Sequence, residues 1–189
     1  MTYYGGKNLA FSFRQVRGNT IQIAEDIPEA KYSFQGAPDT RTIGQLLAHI
    51  ALAPGIQMHI HGSKVSDMKT VNFMELFPRV MGEEAKPRTK AETIAFLKTE
   101  GDKVATFLEG LSDDFLAETV IQPPGMQPAT KTRFEMLMSM KEHEMHHRGQ
   151  LMLLQRMIGL VPHLTRQMQE RMAQRAAAAA GAGAGAQAR

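Results

Sequence analysis

A four-residue pattern that occurs three times in this sequence places the strongest constraint on its fold. In each occurrence, a threonine stands three residues before a glutamine or glutamate: Thr42 and Gln45, Thr89 and Glu92, Thr132 and Glu135. Such a pair forms a capping box, in which each side chain accepts a hydrogen bond from a backbone amide at the start of a helix. Helical periodicity follows each pattern, so the sequence predicts three helix starts.

A further helix is predicted before the first capping box. Apolar or small residues recur there in alternating steps of four and three, at Leu9, Phe13, Val16, Thr20, Ile23 and Ile27. The last helix should run from about Thr132 to Ile158, and no segment alternates convincingly with a period of two. We therefore predict an all-α four-helix bundle with a long connection between helices 2 and 3, roughly residues 62–88.

Pro54 and Gly55 interrupt the predicted second helix. A proline inside a helix removes a hydrogen bond and kinks the axis. Two outcomes are open: the helix bends after Ala53, or two shorter helices meet there.

The chain divides into a predicted bundle, residues 1–163, and a tail, residues 164–189. The tail ends in alanine and glycine, which offer nothing to pack, so we predict that it is mostly disordered. It also carries the whole net charge of +3, in Arg166, Arg171, Arg175 and Arg189 against Glu170. The body is neutral, which argues against a nucleic-acid partner.

The remaining composition suggests a cytoplasmic protein. There is no cysteine, which excludes disulfides, thiolate ligands and a cysteine nucleophile. No apolar run is long enough to span a membrane, and the first residues lack the pattern of a secretory signal.

Histidines are the candidate functional residues. His143 and His147 are four residues apart on the largely apolar face of the last helix, so they should lie one turn apart and point inward. Buried imidazoles need partners, and either a metal ion or hydrogen bonds within the core could supply them. His49 lies in the apolar second helix and is the third candidate. His59 and His61 are predicted to be surface residues, and His163 a loop residue without a role.

A different interpretation uses Glu144. His143, Glu144 and His147 form His-Glu-x-x-His, the zinc-peptidase signature, in which the glutamate is the general base. The third ligand that such enzymes need downstream is missing, since Leu153 stands where a histidine is expected. Glu144 is therefore predicted to be a polar residue beside the site.

The segments TIGQLLAHIA and KEHEMHHRGQLMLLQRMIGLVP resemble the DinB-like family of bacterial damage-inducible proteins, over about residues 8–163. The resemblance implies a four-helix bundle that binds a divalent metal through three histidines, one on the second helix and two on the fourth. Matched by motif, these are His49, His143 and His147. Related proteins include metal-dependent transferases and isomerases that use a low-molecular-weight thiol.

The functional expectation is a metal-dependent hydrolase or thiol-dependent transferase acting on a small-molecule substrate, and a stress-related role is expected of its non-catalytic alternative. We expect zinc or nickel as the metal, an external low-molecular-weight thiol as possible co-substrate, and a homodimer. No catalytic residue and no organic-cofactor site are assigned. The alternative is a non-catalytic metal-binding or interaction protein, with the peptidase as a distant third.

Overall fold

The computed structural model describes residues 4–187 and consists mainly of helices. These are α1 (Gly6–Asp26), α2 (Ile43–Leu52), α3 (Pro54–Gly62), α4 (Phe73–Glu84), α5 (Lys90–Glu109), α6 (Asp113–Ala117), α7 (Arg133–Met157) and α8 (His163–Gln187). Two short strands, β1 (Thr119–Ile121) and β2 (Thr130–Thr132), form an antiparallel hairpin in which Thr119 pairs with Thr132. None of the helices in the described part is both long and apolar enough to cross a membrane.

The predicted four-helix bundle is confirmed. α1 packs against α5 and α7, and α2 packs against the same two helices, which places α1 and α2 diagonally. One part of the core surrounds Ile23, Leu47 and Leu97, and another surrounds Phe13 and Leu137. All three predicted capping boxes form, at the starts of α2, α5 and α7.

Two helices meet at Pro54, which decides between the two outcomes left open by the sequence. α2 ends at Leu52, and Pro54 opens α3 in the first turn, where a missing N–H breaks no helical hydrogen bond. Ala53 between them keeps helical backbone angles, and its N–H bonds to the carbonyl of His49. The apolar run of α2 therefore continues into α3 with little interruption.

The connection between the second and third bundle helices contains structure that the sequence did not indicate. Residues 68–70 form a 3-10 turn, and α4 follows although it contains Pro78 and Gly82. α4 packs against α2. The hairpin was also not predicted, because strands of three residues are too short to show alternation.

A buried ion pair joins the four bundle helices. Arg17 on α1 donates from Nε and Nη2 to the Glu144 carboxylate on α7, at 2.9–3.1 Å. Its Nη1 donates to the carbonyl of Leu97 on α5, and its Nη2 also to that of Ile50 on α2. Gly101 makes room for this side chain, since a Cβ there would lie 2.9 Å from Arg17 Cγ. One guanidinium on α1 thus bonds to each of the other three bundle helices.

The tail contains a helix, α8, and its predicted disorder stays a prediction. α8 continues from His163 to Gln187, and residues 166–179 are all exposed. Alanine has the highest helix propensity of any residue, so a run of alanines can remain helical without a packing partner. The division into a bundle and a tail after residue 163 stays a prediction.

Candidate metal centre

Three histidine side chains from two helices converge on one point between α2 and α7. His49 Nε2 lies 3.2 Å from His143 Nε2, which in turn lies 3.1 Å from His147 Nε2. All three side chains are partly buried, and their ligand atoms lie within 4.8 Å of one another. The structure therefore brings together the three residues that the sequence singled out.

Hydrogen bonds to Nδ1 of His49 and of His147 indicate which ring nitrogen carries the proton. His49 Nδ1 lies 2.9 Å from Glu84 Oε2, and His147 Nδ1 lies 2.7 Å from Gln150 Oε1. Both partners are acceptors, so the proton of each neutral ring is on Nδ1. Their Nε2 atoms consequently present lone pairs to His143.

A shared metal ion explains this arrangement better than hydrogen bonds do. A proton on His143 Nε2 could be donated to one neighbouring Nε2 but not to both. Two nitrogens bound to one tetrahedral zinc at the usual bond length lie about 3.3 Å apart, and neighbouring ligands of a six-coordinate ion about 3.0 Å. The observed 3.1 and 3.2 Å fall between these values, so the residues present fit a divalent ion.

Burial keeps His143 and His147 neutral, the form in which an imidazole binds metal. Burial lowers the pKa of His143 to about 4, helped by the neighbouring His147 and His49. Burial also lowers the pKa of His147. At neutral pH the lone pairs are therefore available.

Glu84 is the residue of the site that the sequence analysis missed. It ends α4 and accepts hydrogen bonds from His49 and from Arg41, whose side chain is half-exposed. Burial alone would raise the pKa of Glu84, but the bonds from Arg41 and His49 outweigh it and lower the pKa. A carboxylate in this position orients a metal-binding histidine and raises its basicity. Nothing in the sequence distinguishes Glu84 from its neighbour Glu83.

Two cavities flank the histidines. The larger, about 860 Å³, reaches His147 and Gln150 and extends along the exposed Leu153 and Met157. The smaller, about 450 Å³, reaches His49 and His143 and lies between α3, α4 and α7. Arg41 and Glu84 border both cavities. A group bound at the three histidines would thus be accessible from two sides.

Comparison with known proteins agrees with the bundle. The family model of the DinB superfamily matches residues 12–151. The chain belongs to the DinB superfamily. No curated protein matches the sequence significantly.

Solved structures of DinB-like proteins share the fold. A DinB-like protein from Bacillus cereus is 18% identical with a TM-score of 0.64, covering 85% of this chain and 97% of its own. A second, from Bacillus subtilis, is 21% identical with a TM-score of 0.58, covering 80% and 92%. YfiT from Bacillus subtilis, described as a probable metal-dependent hydrolase with an unusual four-helix bundle topology, is 13% identical with a TM-score of 0.63, covering 85% and 91%.

Two predictions about the other histidines of this DinB-superfamily chain are wrong. His61 is 1% exposed, not on the surface, and contacts Arg133 and Gln57. His163 is buried at the start of α8, where its Nε2 contacts Asn19. Both are held by residues distant in the sequence, which local periodicity does not reveal. His59 is exposed, as predicted.

Glu144 is buried, whereas the sequence suggested only a polar residue beside the site. Both of its carboxylate oxygens accept hydrogen bonds from Arg17. A general base needs a free oxygen directed toward the substrate. This ion pair therefore argues against the peptidase interpretation.

Proposed function

We propose that this DinB-superfamily chain binds one divalent metal ion through His49, His143 and His147 and is a metal-dependent enzyme acting on a small molecule. The supporting observation is the convergence of three Nε2 atoms, of which His49 and His147 are oriented by acceptors on their far sides. Such an ion would lower the pKa of a bound water or thiol and polarise a carbonyl group.

The side chains around the histidines have distinct tasks in this proposal. Glu84 holds His49, and Gln150 holds His147, so that each ring keeps its Nε2 toward the ion. Arg41 compensates the charge of Glu84 through their ion pair. Three protein ligands leave positions for substrate, whereas a structural zinc site usually closes with four. This favours an enzyme over a non-catalytic metal protein.

Hydrolysis and thiol transfer are the two reaction classes we propose. Hydrolysis needs one substrate and water at the ion. Transfer needs two substrates, and the presence of one cavity on each side of the histidines favours this class. Because the chain contains no cysteine, the thiol would come from outside, as a low-molecular-weight co-substrate. Imidazole ligands suit zinc and nickel alike, and a homodimer stays a prediction.

Metal analysis of two matched variants tests the site. In protein purified without a histidine tag, we expect about one zinc or nickel ion per chain. His49→Ala should lose most of this metal, whereas His59→Ala, an exposed histidine one helix further on, should retain it. Equal loss in both variants would contradict the assignment.

Activity is tested separately with stripped and reloaded protein. Small esters test hydrolysis, and electrophiles with an added thiol test transfer. We expect a rate that disappears on stripping and returns with zinc or nickel. Full metal binding without any rate would favour the non-catalytic alternative.

A further inference from the structure

A second polar network lies beside the metal centre and involves none of its three histidines. Arg133 Nε donates to Glu118 Oε2 at 2.8 Å, and Arg133 Nη1 lies 3.2 Å from His61 Nδ1. His61 Nε2 lies 3.2 Å from Gln57 Oε1, one turn earlier on α3. Gln57 in turn lines the smaller cavity, together with His49 and His143. The network thus connects a buried arginine with the wall of that cavity.

The hydrogens of this network can be assigned from donor and acceptor rules alone. An arginine only donates, so the ring nitrogen of His61 that faces Arg133 must be an acceptor. Burial, with the nearby Arg133, lowers the pKa of His61 to about 4, so the ring is neutral and its other nitrogen carries the proton. That nitrogen donates to Gln57, which must present its oxygen. With the ring placed so that both of its nitrogens have these partners, the orientation of the Gln57 amide follows from them.

Gln57 lines the smaller cavity, and because its oxygen bonds to His61, its NH₂ group is the part of the amide left to donate to a ligand. Much of the rest of this wall is apolar, namely Ala53, Pro54, Ile56, Phe77, Val80, Met81 and Met140. The hydroxyl hydrogen of Ser139 is already donated to the carbonyl of Met136. The charge of Arg41 at the border is matched by that of Glu84. Away from the two histidines, the cavity wall therefore combines the neutral Gln57 amide with apolar side chains and one compensated ion pair.

We infer that Gln57 binds the carbonyl oxygen of an uncharged, largely apolar ligand in the smaller cavity, and that His61 is the positioning residue that orients the Gln57 amide. A volume of about 450 Å³ suits a small molecule. A carbonyl bound by Gln57 would lie beside His49 and His143. Any role of this contact in catalysis therefore rests on the proposed function. Binding itself requires no turnover.

Matched probes test the inference on the full-length protein as purified. 4-Phenyl-2-butanone has a carbonyl where butylbenzene has a methylene group, and neither is a substrate for hydrolysis. Methyl-labelled methionines report the location, since Met140 and Met81 line the smaller cavity and Met157 lines the larger. We expect the ketone to shift the Met140 and Met81 signals. A shift of Met157 alone would overturn the inference.

Substitution of Gln57 separates the hydrogen bond from the apolar contacts. Gln57→Met keeps the length of the side chain and removes the amide, so the ketone should bind about threefold to tenfold more weakly, as for one lost hydrogen bond. Butylbenzene should bind unchanged, and Ser139→Ala should leave both affinities unchanged. Equal effects of Gln57→Met on the two probes would overturn the inference.

The role of His61 is tested by the ratio of ketone affinity to butylbenzene affinity. General damage to the cavity should weaken the binding of both probes, whereas loss of the amide orientation should weaken only that of the ketone. His61→Leu should lower the ratio of ketone to butylbenzene affinity about as much as Gln57→Met does. A retained ratio would show that His61 does not orient the amide. Metal content is measured in the wild-type protein alongside: if it holds no metal ion but still prefers the ketone to butylbenzene, the proposed function is refuted and this inference stands.

Discussion

At the scale of single residues, the proposed metal centre depends on the hydrogen-bond partner behind each imidazole. Glu84 and Gln150 hold the Nδ1 protons of His49 and His147, and the metal-binding geometry follows from these two hydrogen bonds. Glu84 is the better residue for a test, because the adjacent Glu83 offers a matched control. Glu83 pairs with Lys86 and Arg88 and not with a histidine.

Removal of the Glu84 carboxylate should therefore weaken metal binding without removing a ligand. We expect Glu84→Ala to lower zinc affinity by about 10-fold to 100-fold, as is typical when the partner of a metal-binding histidine is lost. Glu83→Ala removes the same charge one residue earlier and should have little effect. Competition with a chelating dye measures both affinities, and a similar loss in the two variants would indicate a general charge effect.

His61 should make the folded state sensitive to acid. Its pKa is lowered to about 4 in the folded protein, mainly by burial and then by Arg133, whereas the unfolded value is about 6.5. Between these values the unfolded chain binds a proton that the folded chain does not, so the free energy of unfolding falls as the pH falls, by up to about 1.4 kcal/mol per pH unit.

Urea unfolding of metal-stripped protein between pH 7 and pH 4 tests this expectation. His61→Gln keeps a polar side chain but removes the titration, so its stability should fall less steeply than that of the wild type. The other buried histidines are present in both proteins and cancel in the comparison. If the free energy of unfolding falls equally steeply with pH in both proteins, His61 does not contribute to the acid sensitivity.

At the scale of helices, Arg17 and Glu144 are the main polar contact within the bundle. Their side chains are 4% and 1% exposed, in contrast with Arg14 and Glu109, which pair α1 with α5 at the surface and are about 45% exposed. Loss of one partner of a buried pair leaves a charge without compensation, which is far more costly than the loss of an exposed pair.

Glu144→Leu should accordingly destabilise the fold by about 3–5 kcal/mol. Glu109→Leu should cost no more than about 1 kcal/mol. The double variant Arg17→Met with Glu144→Leu should recover part of the loss, because it leaves no unpaired charge. Chemical unfolding measures all three, and a double variant less stable than Glu144→Leu would show that the pair contributes more than charge compensation.

The sequence predicted the elements that depend on local signals. Capping threonines and apolar spacing located the bundle helices, and the four-residue spacing of His143 and His147 indicated the metal-binding face. Arg17 looked like an ordinary polar residue next to Val16, because its partner lies 127 residues away. α4 was missed because Pro78 and Gly82 argue against a helix, and Glu84 could not be found without α4.

At the scale of the whole molecule, α8 extends from the bundle with its described side chains exposed beyond residue 165. Near its start, Arg166 pairs with Asp26 of α1, and His163 contacts Asn19. The contacts that attach α8 to the bundle therefore belong to its first turn.

Deletion of residues 176–189 should leave both the fold and the metal centre intact. We expect an unchanged melting temperature and unchanged metal content, because the remaining chain keeps Arg166 and His163. Deletion from residue 163 onward is the matched comparison and should lower the melting temperature. A clear fall for the shorter deletion would show that the end of the tail packs against the bundle.

The position of Arg17 has a consequence for the folding of the chain. While α2, α5 or α7 is undocked, the Arg17 guanidinium lacks the partner that this helix supplies. A three-helix assembly that buries Arg17 without α7 would contain an isolated charge, which is unfavourable by several kcal/mol. Partly assembled forms are therefore disfavoured, and we expect the bundle to form in a single cooperative transition that is complete only when α7 closes over the arginine.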